Sequence, residues 1–242
     1  QYLEKGVITG ILRVAKESIF SGLNNLGVYT LLDREFNQRF GFTEKEVETL
    51  LKDFRLQDRT ADVQQWYNGY NFGNRTIYNP WSIISLLENK KKELKPYWLN
   101  TSDNKLVETL LTKGGKELKE ELEQLIQGEI LEKAIDENIV LKKLDTREDL
   151  LWSFLLMAGY LKQTDRRYDE VSSRVYRKLS IPNLEVRTAY MKIVEDFFST
   201  KIENKKLQQM LDALLTGDID VFGEIFREYV LSAMSAFDTA GE

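Results

Sequence analysis

The sequence of 242 residues is 42% hydrophobic, so it can bury one large core or two small ones. Its formal net charge of -5 argues against nucleic-acid binding through overall electrostatics, although a local basic patch is compatible with that charge. The chain has no cysteine and no histidine, which excludes disulfides, thiolate chemistry and imidazole chemistry. No apolar run approaches the ~20 residues that span a bilayer, and no signal-peptide pattern is present, so we expect a cytoplasmic protein without membrane contact.

The N-terminal residues predict one βαβ-like unit. Gly6–Thr9 is typical of the end of a buried strand, residues 11–20 show helical spacing, and Val28–Leu32 has the pattern of a short strand. The sequence starts at Gln1, directly before the first strand-like segment. We therefore expect it to be a piece of a longer protein.

Helices dominate the rest of the chain. Thr43-Glu44-Lys45-Glu46 is a capping box that starts one helix. Further helices are predicted at about 61–68, 81–89, 103–113, 117–127, 150–158, 184–199, 203–215 and 221–236. The helix at 150–158 is apolar nearly all round, which is typical of a core helix. Weak strand character is found at 129–144, and residues 160–164 and 174–181 are predicted to pair as a hairpin.

Six large aromatic residues lie around sharp turns in the stretch Trp66–Trp81. Gly69 suits the left-handed position after a helix, and Gly73-Asn74 suits the turn of a short hairpin. Asn79-Pro80 suits the start of the next helix. We call this stretch the aromatic corner, and its proposed interdomain residues are Trp66, Tyr70, Phe72, Tyr78 and Trp81. Two interpretations remain open: the rings only pack a core, or they form a junction that moves between two domains.

Six motifs spread over nearly the whole chain carry a resemblance to a known family. They are WYNGYNFG from Trp66, YNPWS from Tyr78, PYWLNTS from Pro96, ITGILRVAKESIFSGLNNL from Ile8, FGFTEKEV from Phe40 and LSIPNLEVR from Leu179. On these motifs the chain resembles the bacterial AAA-ATPase-like family, in which a P-loop ATPase module is usually followed by a PD-(D/E)XK nuclease domain. The resemblance implies a fragment that lacks both the P-loop and the nuclease core.

The expected fold class is α+β and mainly helical. The resemblance implies the C-terminal part of an AAA-like α/β core at 1–34 and a helical lid with a winged-helix-like region and hairpin at 35–182. It also implies a helical linker at 183–242 that leads to a nuclease domain. The expected partners are therefore the N-terminal ATPase half and the C-terminal domain of the same protein.

The nucleotide-binding pattern GxxxxGK[ST] is absent from the sequence. The nearest fragment, Gly114-Gly115-Lys116, is better explained as a link between two helices. The resemblance implies ATP and Mg in the full-length parent, but no cofactor and no activity are expected for this fragment alone. The resemblance also implies nucleotide-sensing roles for Thr9, at the predicted strand end, and Arg13, about one helical turn later. The residues alone favour a helix cap for Thr9 and a surface arginine for Arg13.

No metal site is predicted. Glu93-Leu94-Lys95 and Glu117-Leu118-Lys119 have the ExK spacing of nucleases, but they lie on helical or loop segments rather than on a strand beside an aspartate. The acidic residues near Asp165 alternate with arginines, as is typical of a solvated turn. The sequence therefore offers no carboxylate cluster for magnesium.

The predicted hairpin is basic, and its candidate nucleic-acid contacts are Arg166, Arg167, Arg174 and Arg177. Such a hairpin can follow a phosphate backbone. The helix before it is apolar and carries only Arg147 at its start, which disfavours sequence-specific reading of bases. A non-specific nucleic-acid contact and a charged, soluble sheet edge remain the alternatives.

The resemblance, taken with these patterns, implies the regulatory part of a bacterial ATPase. In this hypothesis Thr9 and Arg13 sense the nucleotide state, and the aromatic corner is a rigid lever that couples it to a downstream nuclease-like domain. Two other functions are open: a winged-helix module that binds nucleic acid through the basic hairpin, and a protein-interaction scaffold with a vestigial ATPase.

Overall fold

The structure is a computed structural model that describes residues 6–7, 9–10, 27–98, 115–137, 149–201 and 204–238. In these residues the chain forms eight α-helices and two small antiparallel sheets, which confirms the α+β, mainly helical class. The predicted helices at 11–20 and 103–113 lie outside the described residues. None of the described helices is long and apolar enough to cross a membrane.

The first group of elements contains three helices and a hairpin. They are α1 (Glu44–Asp53), a short 3-10 turn (Gln57–Arg59), α2 (Thr60–Tyr67), β1 (Tyr70–Phe72), β2 (Arg75–Ile77) and α3 (Pro80–Glu88). The predicted capping box is present at the start of α1. Thr43 N donates to Glu46 Oε2 at 2.8 Å, and Glu46 N donates to Thr43 Oγ1 at 3.4 Å.

The second group surrounds a three-stranded sheet. Its elements are α4 (Lys116–Gln127), β3 (Leu131–Ala134), α5 (Asp149–Met157), β4 (Lys162–Asp169), β5 (Arg174–Ser180), α6 (Leu184–Lys201), α7 (Asn204–Thr216) and α8 (Ile219–Asp238). The strands are antiparallel in the order β3-β5-β4, with an irregularity between Gln163 and Asp165. The predicted hairpin is thus confirmed, and the weak strand signal at 129–144 includes the short strand β3.

Helix α5 is the core helix that its sequence predicts. All seven residues from Leu150 to Leu156 are buried, including the hydroxyl-bearing Ser153. Ser153 Oγ accepts a hydrogen bond from Asp136 N at 2.8 Å, so this polar group is satisfied inside the core. Gly159 follows the helix with a φ of 84°, a left-handed conformation that glycine adopts without strain.

The prediction of a strand at Val28–Leu32 is wrong. Residues 27–30 have no regular structure, and the chain turns at 31–32. The turn is held by Asp33, whose Oδ2 accepts from Thr30 N at 2.7 Å and from Thr30 Oγ1 at 3.1 Å. A short polar side chain that bonds to nearby backbone competes with strand pairing in this way.

The described residues contain two hydrophobic cores. The smaller core combines side chains of α1, α2 and α3 with Tyr78 and Tyr97. The larger core combines α4, β3, α5, β5 and α6 with Tyr70 and Ile77. Val186, Tyr190 and Ile193 of α6 belong to this larger core. The start of α6 therefore packs in the same core as the winged-helix-like region, although the predicted boundary between that region and the helical linker is at residue 182.

Candidate functional site

The aromatic corner has the local backbone that its sequence predicts. Helix α2 ends at Tyr67, and Gly69 follows with a φ of 116°. The β1–β2 pairing places Phe72 opposite Arg75, which leaves Gly73-Asn74 as a two-residue turn with a φ of 55° at Gly73. The predicted helix end and hairpin are both confirmed.

The start of α3 is also as predicted. Asn79 Oδ1 accepts a hydrogen bond from Trp81 N at 3.0 Å, and Pro80 is the first residue of the helix. Trp81 itself is 53% exposed, whereas Tyr70 and Tyr78 are buried and Phe72 is half-buried. The corner thus has an inner side that packs and an outer side that faces solvent.

The inner side contributes to both hydrophobic cores. Tyr67 and Tyr78 belong to the smaller core, while Tyr70 and Ile77 belong to the larger one. Ile77 and Tyr78 are consecutive, and they enter different cores because adjacent side chains of an extended chain point in opposite directions. The same division recurs in the PYW motif, since Tyr97 is in the smaller core and Trp98 packs against the larger. The corner therefore lies where the two cores meet.

Two glycines allow the corner to approach neighbouring backbone closely. A Cβ added at Gly69 would collide with the carbonyl oxygen of Pro182, and one added at Gly73 would collide with that of Asp33. Gly73 N also donates to Leu31 O at 2.7 Å. The corner is thus fixed against the segment before α6 on one side and against the turn at 31–33 on the other.

A buried carboxylate lies beneath the corner. Glu185, in the first turn of α6, is fully buried. Its Oε2 accepts from Ser82 Oγ at 2.7 Å, and its Oε1 accepts from Trp98 N at 2.9 Å. Burial raises the pKa of this carboxyl, while the hydrogen bonds from Trp98 and Ser82 act in the opposite direction. Glu185 therefore joins three separate segments: helix α3, the PYW motif and helix α6.

Two further polar groups lie close to this carboxylate and are not satisfied. The hydroxyl of Tyr70 and the Nδ2 of Asn183 are buried, and neither makes a hydrogen bond of good geometry, although the side chains of Asn183 and Asn79 lie close enough to the hydroxyl to oppose the rise of its pKa. Asn183 still caps α6, because its Oδ1 accepts from Val186 N at 3.0 Å. Burial raises the pKa of Tyr70, and the negative charge of Glu185 raises it further. Unsatisfied buried groups each oppose folding by about 1–3 kcal/mol, so this junction is polar at a cost in stability.

Tyr67, on the smaller-core side, differs from Tyr70 in its hydroxyl contacts. Its hydroxyl donates to Lys95 O at 2.9 Å and accepts from Lys95 N at 3.0 Å. These bonds tie the end of α2 to the segment just before the PYW motif. Residues 95–98 are thus held by hydrogen bonds on both sides, from Tyr67 of the smaller core and from Glu185 beside the larger core.

A cavity of about 200 Å³ lies beside the corner. Its walls include Phe72, Tyr78, Asn79 and Trp98, together with the 58% exposed Phe40. A cavity of this size holds one ring or one large side chain, since a cavity of about 150 Å³ already binds benzene. The site can therefore receive a single apolar group from a contacting surface.

Two cations of the basic hairpin are paired with carboxylates, one on the neighbouring strand β3 and one on β4. Arg167 makes a two-pronged contact with Glu132, with N–O distances of 3.1 and 3.0 Å, and its guanidinium lies 4.6 Å from the Tyr176 ring centroid. Lys178 pairs with Asp165 at 3.2 Å. Cross-strand pairs of opposite charge stabilise a sheet and reduce its attraction for phosphate. Arg166 and Arg174 are exposed.

Arg177, unlike Arg166 and Arg174, is buried. It is 8% exposed, donates to Gln163 Oε1 and has Glu137 at 3.8 Å. Burial lowers the pKa of its guanidinium. Leu179, two residues further along β5, is also buried, so alternation along the strand explains the inward direction of Arg177.

Of the two predicted nucleotide-sensing residues, the structure places one. Thr9 is exposed and has no regular secondary structure, while Arg13 lies outside the described residues. Among the residues that the structure describes, no three or more carboxylates come together as a metal site would require. The described residues thus bring together the aromatic corner and Glu185.

Comparison with known proteins gives one curated relative and no family. No family model matches the chain, and no solved structure matches it. An uncharacterized protein in the vnfD 5' region of Azotobacter chroococcum mcd 1 is 26% identical over 228 residues. The match covers 93% of this chain but 41% of that relative, so the chain spans less than half of its relative's length.

Glu185 is the residue of this site that sequence reasoning missed. It belongs to the IPNLEVR segment, but an acidic residue in the first turn of a helix is normally explained by the helix dipole. Its distance from Ser82 along the chain, 103 residues, hides the contact from any local pattern. Each of the segments YNPWS, PYW and IPNLEVR carries a polar group. This pattern does not predict that the three segments contact one another.

Proposed function

We propose that this chain is the regulatory, lid-like part of a bacterial AAA-type ATP-binding protein, and that it couples nucleotide state to a downstream nuclease-like domain. The observation that carries the proposal is the aromatic corner, whose residues are divided between two cores and whose neighbours hold α6 through Glu185. The resemblance of the motifs supplies the ATP-binding class. The corner supplies a connection through which a displacement can reach α6.

ATP and Mg do not fit the residues of this chain alone. The sequence has no P-loop, and the described residues contain no group of three or more metal-binding side chains. In the proposal the nucleotide is held by the ATPase half of the parent protein, and this chain contributes Thr9 and Arg13 to its surroundings. No chemical step is assigned to the chain, which is proposed to be inactive by itself.

The coupling is proposed to run from the outer side of the corner to α6. The exposed Phe40 and the cavity that it lines are the proposed contact with a nucleotide-binding core. On the inner side, Ser82 and Trp98 donate to one carboxylate. If either donor moves alone, a buried hydrogen bond is lost at a cost of about 1–3 kcal/mol. A displacement of the corner is therefore cheaper when α6 moves with it.

The test of the ATP-binding class is a titration of fluorescent ATP against the full-length gene product and against this chain, each with and without Arg13→Ala. We expect binding by the full-length protein only, and weaker binding after the substitution, because a cation near the γ-phosphate stabilises it. Absence of binding by the full-length protein would reject the proposal and favour the scaffold function. Equal binding with Arg13→Ala would remove Arg13 from the site.

A second candidate function is a winged-helix module that contacts nucleic acid non-specifically. The observation that favours it is the succession of α4, β3, α5 and the β4–β5 hairpin, with β5 central in the sheet, because winged-helix domains combine helices with such a hairpin. The ion pairs of Arg167 and Lys178 argue against strong phosphate binding.

Fluorescence anisotropy with labelled duplex and single-stranded DNA separates this candidate from the first. The variant Arg166→Glu/Arg174→Glu would abolish binding if the exposed arginines contact phosphate, whereas Lys45→Glu on α1 is the matched control. We expect no salt-dependent binding in the wild-type chain. Binding that only the hairpin variant loses would establish the nucleic-acid function instead.

A further inference from the structure

Helices α7 and α8 form an antiparallel pair that exposes an unusual amount of apolar surface. Large apolar side chains are exposed along both helices: Leu211 46%, Leu214 57%, Leu215 84%, Ile219 79%, Val221 39% and Phe226 51%. Five of them, all except Val221, form what we call the apolar face of the α7–α8 pair; Val221 is about 200° of helix rotation from Ile219 and lies on the other side of α8. Single exposed hydrophobic residues are ordinary, but a group of this size on one supersecondary unit marks an interaction surface.

The apolar face is not a consequence of poorly packed helices. The two helices pack against each other, with Ala213 buried between them and Met210, Phe222 and Ile225 half-buried. Lys206 pairs with Glu228 at 2.6 Å, and Asp218 caps α8 by accepting from Val221 N at 3.2 Å. Gly217 closes the turn with a φ of 76°. The pair is thus held by its own contacts and caps, while the large apolar side chains named above stay exposed.

The spacing of these residues indicates a surface that spans both helices. Leu211, Leu214 and Leu215 follow the i, i+3, i+4 spacing of one helix face. Ile219 and Phe226 are seven residues apart, two turns along one side of α8. Leu215 and Ile219 flank the turn at Gly217, so the two stripes approach each other at this end of the pair.

The part of the pair around its turn carries negative charge only, while Lys205, Lys206 and Arg227 lie on either side of that part in the sequence. Between residues 207 and 226 the sequence contains four carboxylates and no lysine or arginine. The four are Asp212, Asp218, Asp220 and Glu224, and all are exposed. A surface with apolar residues and an acidic border is complementary to an apolar surface with a basic border.

We propose that the apolar face of the α7–α8 pair is the docking site for a basic amphipathic helix, with leucine-like side chains on one face and lysine or arginine beside them. Helix-in-groove recognition places such apolar residues at i, i+3, i+4 and i+7 against a helical surface. A second copy of the same face would bring four carboxylates toward four others. An anionic membrane would be repelled for the same reason. The proposal does not depend on ATP binding.

The experiment uses the full chain and a fluorescent helical peptide of leucine and lysine, with a leucine–glutamate peptide of the same pattern as counterpart. We expect the leucine–lysine peptide to bind and the other not to bind. The variant Leu215→Ser/Ile219→Ser keeps every charge, and we expect it to weaken binding at least about tenfold. Val171→Ser is the matched control, because Val171 is 97% exposed at the end of the β4–β5 hairpin.

Charge complementarity is tested separately with Asp220→Lys/Glu224→Lys. This variant is expected to weaken binding of the leucine–lysine peptide about tenfold and to give measurable binding of the leucine–glutamate peptide. Absence of peptide binding, or equal affinity for wild type and Leu215→Ser/Ile219→Ser, would overturn the proposal. If sedimentation shows a dimer that Leu215→Ser/Ile219→Ser abolishes, the partner is a second copy of this chain and not a basic helix. If the wild-type chain binds anionic lipid vesicles and the same variant does not, the partner is a membrane.

Discussion

Two buried tyrosines of the aromatic corner differ in what their hydroxyl groups contact. The hydroxyl of Tyr67 both donates to and accepts from the backbone of Lys95, whereas that of Tyr70 is buried without a hydrogen bond of good geometry. We predict that Tyr67→Phe lowers the free energy of unfolding by about 1–3 kcal/mol, because it leaves the backbone groups of Lys95 unsatisfied. Tyr70→Phe should be neutral or stabilising by up to about 1 kcal/mol.

Urea denaturation of the two phenylalanine variants beside wild type measures this contrast. The two substitutions remove the same atom from the same residue type, so each is the control for the other. Equal destabilisation by both would show that the hydroxyl of Tyr70 has a partner in solution.

Glu185 makes a specific prediction about pH. Because burial raises the pKa of this carboxyl in the folded state above the ordinary value of 4.5, folding favours its protonated form. The contribution is present in full below the unfolded-state pKa and is lost as pH rises through the folded-state pKa. We predict that the stability difference between wild type and Glu185→Gln becomes less favourable to wild type as pH rises from about 4 toward neutrality.

The difference between the two proteins is the informative quantity. Other carboxyls have the opposite tendency: hydrogen bonds lower the pKa values of Glu46, Asp165 and Asp169. Their effects are common to wild type and variant, so they cancel in the difference. A difference that does not vary between about pH 4 and pH 7 would contradict a raised pKa at Glu185.

At the scale of elements, alanine substitution at three glycines distinguishes the destabilisation caused by backbone strain from that caused by steric contact. Gly69 has a positive φ and lies against Pro182, Gly128 has a positive φ in open space, and Gly223 has neither constraint. We predict that alanine at Gly69 destabilises by more than about 2 kcal/mol and at Gly128 by about 1–2 kcal/mol. Alanine at Gly223 should stabilise α8 by about 0.5–1 kcal/mol.

Thermal unfolding of the three alanine variants measures this order. If the substitutions at Gly69 and Gly128 cost the same, the close approach to Pro182 does not exist in solution. Loss of stability at Gly223 would show instead that this part of α8 is covered by another surface.

Local signals in the sequence were sufficient for most elements. Three patterns predicted structure correctly because each depends only on neighbouring residues. They are the capping box at Thr43, the glycine turns of the corner and the apolar run at 150–158. The strand prediction at Val28–Leu32 failed because the side chain of Asp33 fixes a turn there, and apolar character alone does not reveal that competition.

Contacts between distant segments were beyond the reach of sequence patterns. Arg177 lies in the same hairpin as the exposed Arg166 and Arg174, but it is buried in contact with Gln163 and Glu137. The role of Glu185 is hidden from sequence patterns, because its partners Ser82 and Trp98 lie far away in the sequence. Both residues are polar groups buried in a core, a placement that depends on the tertiary partners available.

For the whole molecule, the division of the corner between two cores predicts cooperative unfolding. Trp66 packs against the smaller core and Trp152 lies in the larger, so each reports on one core by its fluorescence. With the remaining tryptophans replaced by phenylalanine, we predict coincident urea transitions for the two probes. Glu185→Ala should separate the transitions, because it leaves the backbone N–H of residue 98 and the Ser82 hydroxyl without their acceptor.

The control for that experiment is Glu224→Ala, which removes an exposed carboxylate of α8. It should leave the two transitions coincident. Separate transitions in the protein that retains Glu185 would show that the cores are independent domains, and the corner would then be core packing only.

Hydrogen–deuterium exchange of the full-length gene product, with and without ATP, tests the proposed coupling most directly. The amides to follow are those of Trp98 and Val186, which donate to Glu185 and to Asn183 on the two sides of the junction. We predict that ATP changes the exchange of both amides in wild type, and that Glu185→Gln binds ATP but loses the change at Val186. Exchange that is unaffected by bound ATP in wild type, or that responds equally in the variant, would contradict coupling through Glu185.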